Sequence, residues 1–169
     1  MSAVSTDTVE RIRAALQADP GRMTMQLARE LAVPEAEIVR QMPQSVELDA
    51  ARWEEIISAF EPLGKLHVIV SNGGATLEAV GAFGGFSKWH EFFNVQTDSL
   101  DMHIRWPELA DVFAVEKPSH MTGVSTLSVQ FYDRAGAAAF KVFFNFGGKP
   151  SPELAARFTE LRSQFRRQA

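Results

Sequence analysis

The sequence of 169 residues contains no cysteine. Without thiols the chain has no disulfide framework, no thiolate metal site and no cysteine nucleophile, which excludes several classes of enzyme. It also lacks an apolar run long enough to span a bilayer, and residues 1–7 form neither a basic nor an apolar leader. These absences predict a cytoplasmic protein with no membrane partner.

The sequence also has no excess of positive charge, because 17 Lys and Arg against 21 Asp and Glu give a formal net charge of −4 at pH 7. Nucleic acid is therefore not an expected partner, since phosphate binding requires a concentrated positive field. Motifs for zinc proteases, for serine hydrolases and for nucleotide phosphates are missing as well. No two histidines are three or four residues apart, which excludes a zinc site on one helix; the four are His67, His90, His103 and His120.

Apolar residues are plentiful, at 46% of the chain, which suits one domain with a sizeable core. We predict a single domain over residues 1–169, of the α+β class. Helical periodicity covers residues 5–62, strand alternation covers 63–148, and a C-terminal helix covers 151–167.

The clearest strand signal is a hairpin of residues 125–133 and 138–146. Apolar and polar side chains alternate in both segments, and Gly136 between them can adopt the positive φ of a tight turn. Aromatic residues occupy both faces of this hairpin, and the predicted helices are too few to cover both sides of a large sheet. We therefore predict a homodimer that buries the uncovered face.

Further strands extend the same sheet. The sequence Asn72-Gly73-Gly74 predicts a second hairpin between residues 65–70 and 75–80. Residues 81–88 are rich in glycine and predict a loop. Strands are also predicted for residues 90–95, 100–105 and 112–116. The expected fold is an antiparallel sheet of about seven strands or more, preceded by helices and followed by one helix.

The helices at residues 25–31 and 35–42 resemble a helix-turn-helix. A DNA-binding transcriptional regulator is therefore an alternative function. The second helix carries two Glu and one Arg, a charge balance that favours a structural helix pair over DNA recognition.

Three segments carry a family resemblance. These are His90-Glu-Phe-Phe-Asn94, Met102-His-Ile-Arg105, and the strands Ser128-Val-Gln-Phe-Tyr-Asp133 and Ala139-Phe-Lys-Val-Phe143. With the helical N-terminus, they resemble the HutX/ChuX family of intracellular haem-utilisation proteins. That family is similar to one half of the tandem HemS/ChuS-type proteins. The resemblance implies a homodimer that binds haem as cargo in the cytoplasm and delivers it for storage or degradation.

The resemblance also implies site residues. His103 and His90 match the family's histidines and are the candidate iron ligands, since neutral imidazole is a common ligand of haem iron. Arg105 lies two residues after His103, on the same strand face, and can meet a propionate. Additional candidates are a second cation and aromatic cover for the porphyrin: Lys88, Phe83, Phe86 and Trp89.

We predict a carrier, with no enzymatic activity, because the sequence has no flavin or nicotinamide motif to support haem oxygenation. Two alternatives remain open at this point. One is the DNA-binding regulator that uses residues 25–42, and the other is a divergent family member that binds another flat apolar ligand.

Overall fold

The computed structural model describes residues 4–120 and 123–168. Over these residues the helices are α1 (Thr6–Ala18), α2 (Thr24–Leu31), α3 (Glu35–Arg40), α4 (Trp53–Ser58) and α5 (Pro152–Gln164). The strands are β1 (Ser45–Leu48), β2 (Lys65–Ser71), β3 (Thr76–Ala82), β4 (Ser87–Trp89), β5 (Phe92–Gln96), β6 (Asp101–Arg105), β7 (Leu109–Pro118), β8 (Ser125–Asp133) and β9 (Ala138–Phe143).

The strands form two antiparallel sheets. The main sheet has six strands in the order β1-β7-β8-β9-β2-β3, and the small sheet has three in the order β4-β5-β6. The α+β class and the antiparallel arrangement are confirmed. The predicted single sheet of about seven strands is divided in two, and β1 lies within the segment that the sequence predicted as helical.

The two predicted hairpins form as expected. Between β8 and β9 the Asp133 carboxylate accepts hydrogen bonds from the backbone N–H groups of Ala135 and Ala137, and Gly136 has φ +76°. Between β2 and β3 the side-chain oxygen of Asn72 accepts hydrogen bonds from the two backbone N–H groups that follow Gly73. These local turns fix the register of both pairs.

The helices begin where short polar side chains accept hydrogen bonds from free backbone N–H groups. Ser5 accepts from Thr8 at α1, Ser151 accepts from Leu154 at α5, and Asp49 caps the short 3₁₀ turn that leads into α4. Among the described residues, no helix is long and apolar enough to cross a membrane.

His90 is displaced from its predicted position. The sequence predicted that it opens a strand, but β5 begins at Phe92 and His90 lies in the turn between β4 and β5 with φ +52°. A tight hairpin requires a residue in the left-handed region, so the turn takes His90 out of the strand. The predicted loop at residues 81–88 also ends early, because Ser87 already pairs with Asn94.

The main sheet buries its two faces against different partners. On the first face, alternate residues of β2, β7, β8 and β9 pack against α4, α5 and the small sheet. On the second face, Phe113, Val115 and Tyr132 pack against α1, α2 and α3. The hydrophobic core on this second face contains buried side chains of β7 and β8 and none of β2 or β3. The three N-terminal helices therefore cover only half of this face, and the half formed by β9, β2 and β3 stays open beside α2.

Candidate ligand-binding site

Three of the residues predicted from sequence share the outer surface of the small sheet. The pairing of Trp89 with Phe92, Phe92 with Arg105, and Asn94 with His103 places them on one side. We call this surface the β4–β6 face and define it by Ser87, Trp89, Asn94, His103 and Arg105. The strand pairing therefore brings His103, Arg105 and Trp89 together.

The other four predicted residues lie elsewhere, and Phe83 is buried in the core. Lys88 alternates to the inner side of β4, where its ammonium is 5.6 Å from the ring of Trp53. Phe86 stacks on buried Phe93 with ring centroids 5.4 Å apart, so it packs against the core. His90 in the turn contacts the Trp89 ring at 4.4 Å and is exposed.

His103 is oriented by its neighbours. Its Nδ1 lies 2.7 Å from Oδ1 of Asn94, and the amide nitrogen of Asn94 donates to Ser87 Oγ at 3.1 Å. Because an amide oxygen only accepts, Nδ1 of His103 carries the donated proton. In the neutral ring the lone pair is then on Nε2, which lies 3.5 Å from Asp101 Oδ1 on a side chain that is 55% exposed. A metal-binding histidine is commonly held by its second nitrogen in this way.

The cations predicted to hold propionates already have partners. Both Nε and Nη2 of Arg105 donate to Oε2 of Glu91, at 3.1 and 2.5 Å, and this hydrogen bond raises the pKa of Arg105. Lys88 forms an ion pair with Glu54 at 2.5 Å. A carboxylate arriving at either cation has to displace an internal one.

A cavity of about 870 Å³ lies on the open half of the main sheet, between α2 and strands β9, β2 and β3. Its walls are largely apolar and include Ala28, Val33, Ile69, Phe143 and Phe146. None of the site residues predicted from sequence lines it. His120 is exposed and borders one end of the cavity.

A closed ion pair forms part of the cavity wall. Lys141 on β9 donates to Oε1 of Glu35 at 2.5 Å, and the hydroxyl of Thr24 donates to the same oxygen at 2.6 Å. The side chains of Glu35 and Lys141 are only 7% and 17% exposed. The pair fastens α3 to the sheet and neutralises both charges.

Lys117, at the end of β7, is a cavity cation without such compensation. Its ammonium donates to the backbone oxygen of Gly21 at 3.1 Å, and no carboxylate in the described ranges is within ion-pair distance of it. Burial lowers the pKa of Lys117, the nearby charge of Lys141 lowers it further, and the charge of Asp19 acts in the opposite direction. The cavity lining has three cations, Arg29, Lys117 and Lys141, against the two carboxylates of Glu35 and Glu78. An anionic ligand can neutralise this excess of one positive charge.

A hydrogen-bonded row on β8 supports the cavity. Tyr132 donates from its hydroxyl to Gln130 at 2.6 Å, and Gln130 donates to Ser128 at 2.9 Å. Burial raises the pKa of Tyr132 well above its usual value, which keeps the phenol neutral. The polar wall is thus satisfied internally and holds its shape without a ligand.

The cavity and the β4–β6 face lie on opposite sides of the main sheet. Cavity residues such as Ile69 and Phe143 alternate with Val68 and Val142, which belong to the core beneath the small sheet. Side chains on neighbouring strand positions point to opposite faces. His103 of one chain therefore cannot reach a ligand in the cavity of the same chain.

Comparison with known proteins identifies the family. The sequence profile described as haem utilisation ChuX/HutX matches residues 46–161, well over half of the chain. The chain belongs to the ChuX/HutX family. No curated protein sequence matches it at significant similarity.

Solved structures agree with this assignment. Protein AGR_C_4470 from Agrobacterium tumefaciens is 28% identical with a TM-score of 0.81, covering 98% of this chain and 100% of that protein. A crystal structure of ChuX is 19% identical with a TM-score of 0.82, covering 90% of this chain and 96% of ChuX. The haem-degrading enzyme ChuS of Escherichia coli O157:H7 is 22% identical with a TM-score of 0.78, covering 96% of this chain and 47% of ChuS. The two likenesses below 25% identity establish the fold alone, and the chain spans about half the length of ChuS.

Proposed function

We propose that this protein binds haem in the cavity and carries it through the cytoplasm. The observation that carries the proposal is Lys117, a half-buried cation without a carboxylate partner among the described residues, beside an apolar cavity in a member of a haem-utilisation family. Haem combines a flat apolar ring with two carboxylates, which is the chemistry that such a cavity complements.

The dimensions and charges of the cavity fit this cargo. Its volume of about 870 Å³ falls within the usual range for small-molecule sites. Phe143, Phe146 and Ile69 offer apolar contact for the ring. Lys117 and Arg29, both on the cavity lining, can each meet a propionate, since neither is in an ion pair with a carboxylate of the described residues.

We keep His103 as the proposed imidazole ligand of the iron, with His90 as the next candidate. Because His103 lies on the opposite side of the sheet from the cavity, it reaches a cavity-bound haem only from a second copy of the chain. A homodimer is therefore part of the proposal, with Arg105, Trp89, Lys88 and Phe86 near that contact. This chain covers 47% of ChuS, so two copies of it would match the length of ChuS, which supports such pairing.

DNA binding is not favoured by the helix pair at residues 25–42. Within α3 the side chains of Glu35, Ala36, Ile38 and Val39 are buried against the rest of the molecule. A recognition helix must present its side chains to the bases in the major groove. The charge argument from sequence and the burial of α3 therefore agree.

Hemin titration of the purified chain tests the proposal. We expect a sharp shift of the Soret band that saturates at one equivalent per chain. Absence of the shift would overturn haem binding, and a DNA mobility shift in that case would support the regulator. Light scattering on the same sample should return a dimer, and a monomer at high micromolar concentration would contradict the shared site.

A second assay separates carriage from catalysis. The haem-loaded protein is incubated with a reductant in the presence of catalase. We expect the haem spectrum to persist, because a carrier releases its cargo intact. Conversion to biliverdin would replace the carrier with a haem-degrading enzyme.

A further inference from the structure

Two methionines, Met23 and Met25, line the cavity, and neither belongs to the two buried cores. The sulfur of Met25 is held in place. It accepts a hydrogen bond from the hydroxyl of Ser71 on β2 at 3.7 Å and a second from Nη2 of Arg29 at 3.7 Å. These contacts fix the thioether between α2 and the sheet, at the cavity wall.

Three soft or imidazole donors line the cavity: Met23, Met25 and His120. His120 is exposed and lies next to Gly21, where an added Cβ would be 3.6 Å from the His120 Cα. The thioether of Met25 is instead held against β2 by Ser71, so its position is fixed by the sheet.

We infer that Met25 supplies a thioether ligand to the iron of haem bound in the cavity. A methionine thioether is a neutral, soft donor to haem iron, and it raises the reduction potential of the haem that it binds. The inference rests on the proposed function. It adds to that function the identity of the iron ligand that the cavity itself provides.

The surroundings of Met25 are consistent with this role. The contact with Ser71 engages one lone pair of the sulfur, and the contact with Arg29 engages the other. The contact with Arg29 is exposed, and sulfur is a weak acceptor. Because Arg29 has no carboxylate partner among the described residues, a propionate can draw its guanidinium from the sulfur and free the second lone pair. His103 from a second copy would remain the proposed imidazole ligand.

The test uses the full-length chain loaded with one equivalent of hemin, in three forms: wild type, Met25→Leu and the matched control Met23→Leu. Leucine preserves the apolar volume and removes the sulfur. The readouts are the far-red charge-transfer band that marks a thioether on ferric haem and the midpoint potential from spectroelectrochemistry. We expect the band in wild type and Met23→Leu, and its loss with a lower potential in Met25→Leu.

The outcomes separate this inference from the proposed function. If all three proteins bind hemin with the same spectrum and potential, Met25 is not a ligand while haem binding stands. If wild type binds no hemin, both ideas fail together. Loss of the band in Met23→Leu alone would transfer the role to Met23 and overturn the assignment. Circular dichroism melting of each variant confirms that the comparison concerns folded protein.

Discussion

The cavity and the β4–β6 face differ in how their charges are compensated. On the β4–β6 face, Arg105 is exposed and already paired with Glu91. In the cavity, Lys141 is paired with Glu35 in a nearly buried bridge, while Lys117 is half-buried and has no ion pair with a carboxylate of the described residues. A partly buried cation without a carboxylate partner is costly unless a ligand neutralises it, whereas an exposed pair costs and contributes little. The cavity is therefore the better place for an anionic cargo.

The largest expected effect concerns the buried bridge. Glu35→Ala removes the partner of Lys141 and leaves a second uncompensated charge, so we expect the free energy of unfolding to fall by about 3 kcal/mol. Urea unfolding followed by circular dichroism measures this. The matched control is Glu91→Ala, which breaks the exposed pair with Arg105 and should leave the unfolding curve unchanged. Equal effects of the two substitutions would remove the contrast between the two regions.

The next effect separates stability from binding. Lys117→Met replaces a half-buried cation by an apolar side chain of similar length, so we expect the free energy of unfolding to rise by about 1 kcal/mol. The same change removes the proposed propionate contact and should weaken hemin binding about tenfold, as expected for a charged hydrogen bond. Thermal melting and hemin titration on one sample measure both.

The control for that experiment is Lys65→Met, an exposed lysine at the start of β2 that does not line the cavity, and we expect it to change neither quantity. A variant of Lys117 that loses stability and keeps its hemin affinity would assign Lys117 a structural role alone.

Hemin affinity should also depend on pH through Lys117. Its pKa is lowered by burial, so between that value and the ordinary 10.5 the unfolded chain binds more protons than the folded one. Over this window the contribution of Lys117 to stability rises with pH, while its charge and the attraction for a propionate are lost. Titrations at increasing pH should therefore give decreasing affinity in wild type. Lys117→Met should show a weaker dependence, and parallel curves for the two proteins would contradict the role of this residue.

The smallest effect on stability is expected at His103. Its side chain is half-exposed, so His103→Ala should change the free energy of unfolding by under about 0.5 kcal/mol while it weakens hemin binding and alters the Soret band. A loss of one or more kcal/mol would indicate a structural histidine. His90→Ala is the comparison variant, and an unchanged spectrum for His103→Ala would make His90 the next ligand to test.

Local signals made much of the fold predictable. Asn72-Gly73-Gly74 and Gly136 mark turns whose geometry few other residues accept, and Ser5 and Ser151 mark helix starts. The strand β1 was missed because four residues after a proline carry too little alternation. The division into two sheets was also missed, since β4 is only three residues long and gains its pairing from β5.

The cavity was not predictable in the same way. Lys117, Lys141 and Glu35 come from three separate elements, and only the position of α2 and α3 over the sheet brings them together. In the sequence, Lys117 and Lys141 are lysines within strand segments. Such lysines also occur on strands that face solvent, so nothing in the pattern indicates a cavity. The histidines were easier to single out because they stand in recognisable segments. The family resemblance therefore indicated the exposed histidines His90 and His103, and it did not indicate the cavity.

The most direct test of the central claim is hydrogen exchange of the wild-type chain with and without one equivalent of hemin. Amides of residues 23–33 and of the β2–β3 turn border the cavity and should exchange more slowly when haem is bound. Protection there, with or without protection of β6 from a second copy, agrees with haem in the cavity. Protection confined to residues 87–105 would place haem on the β4–β6 face and contradict the account.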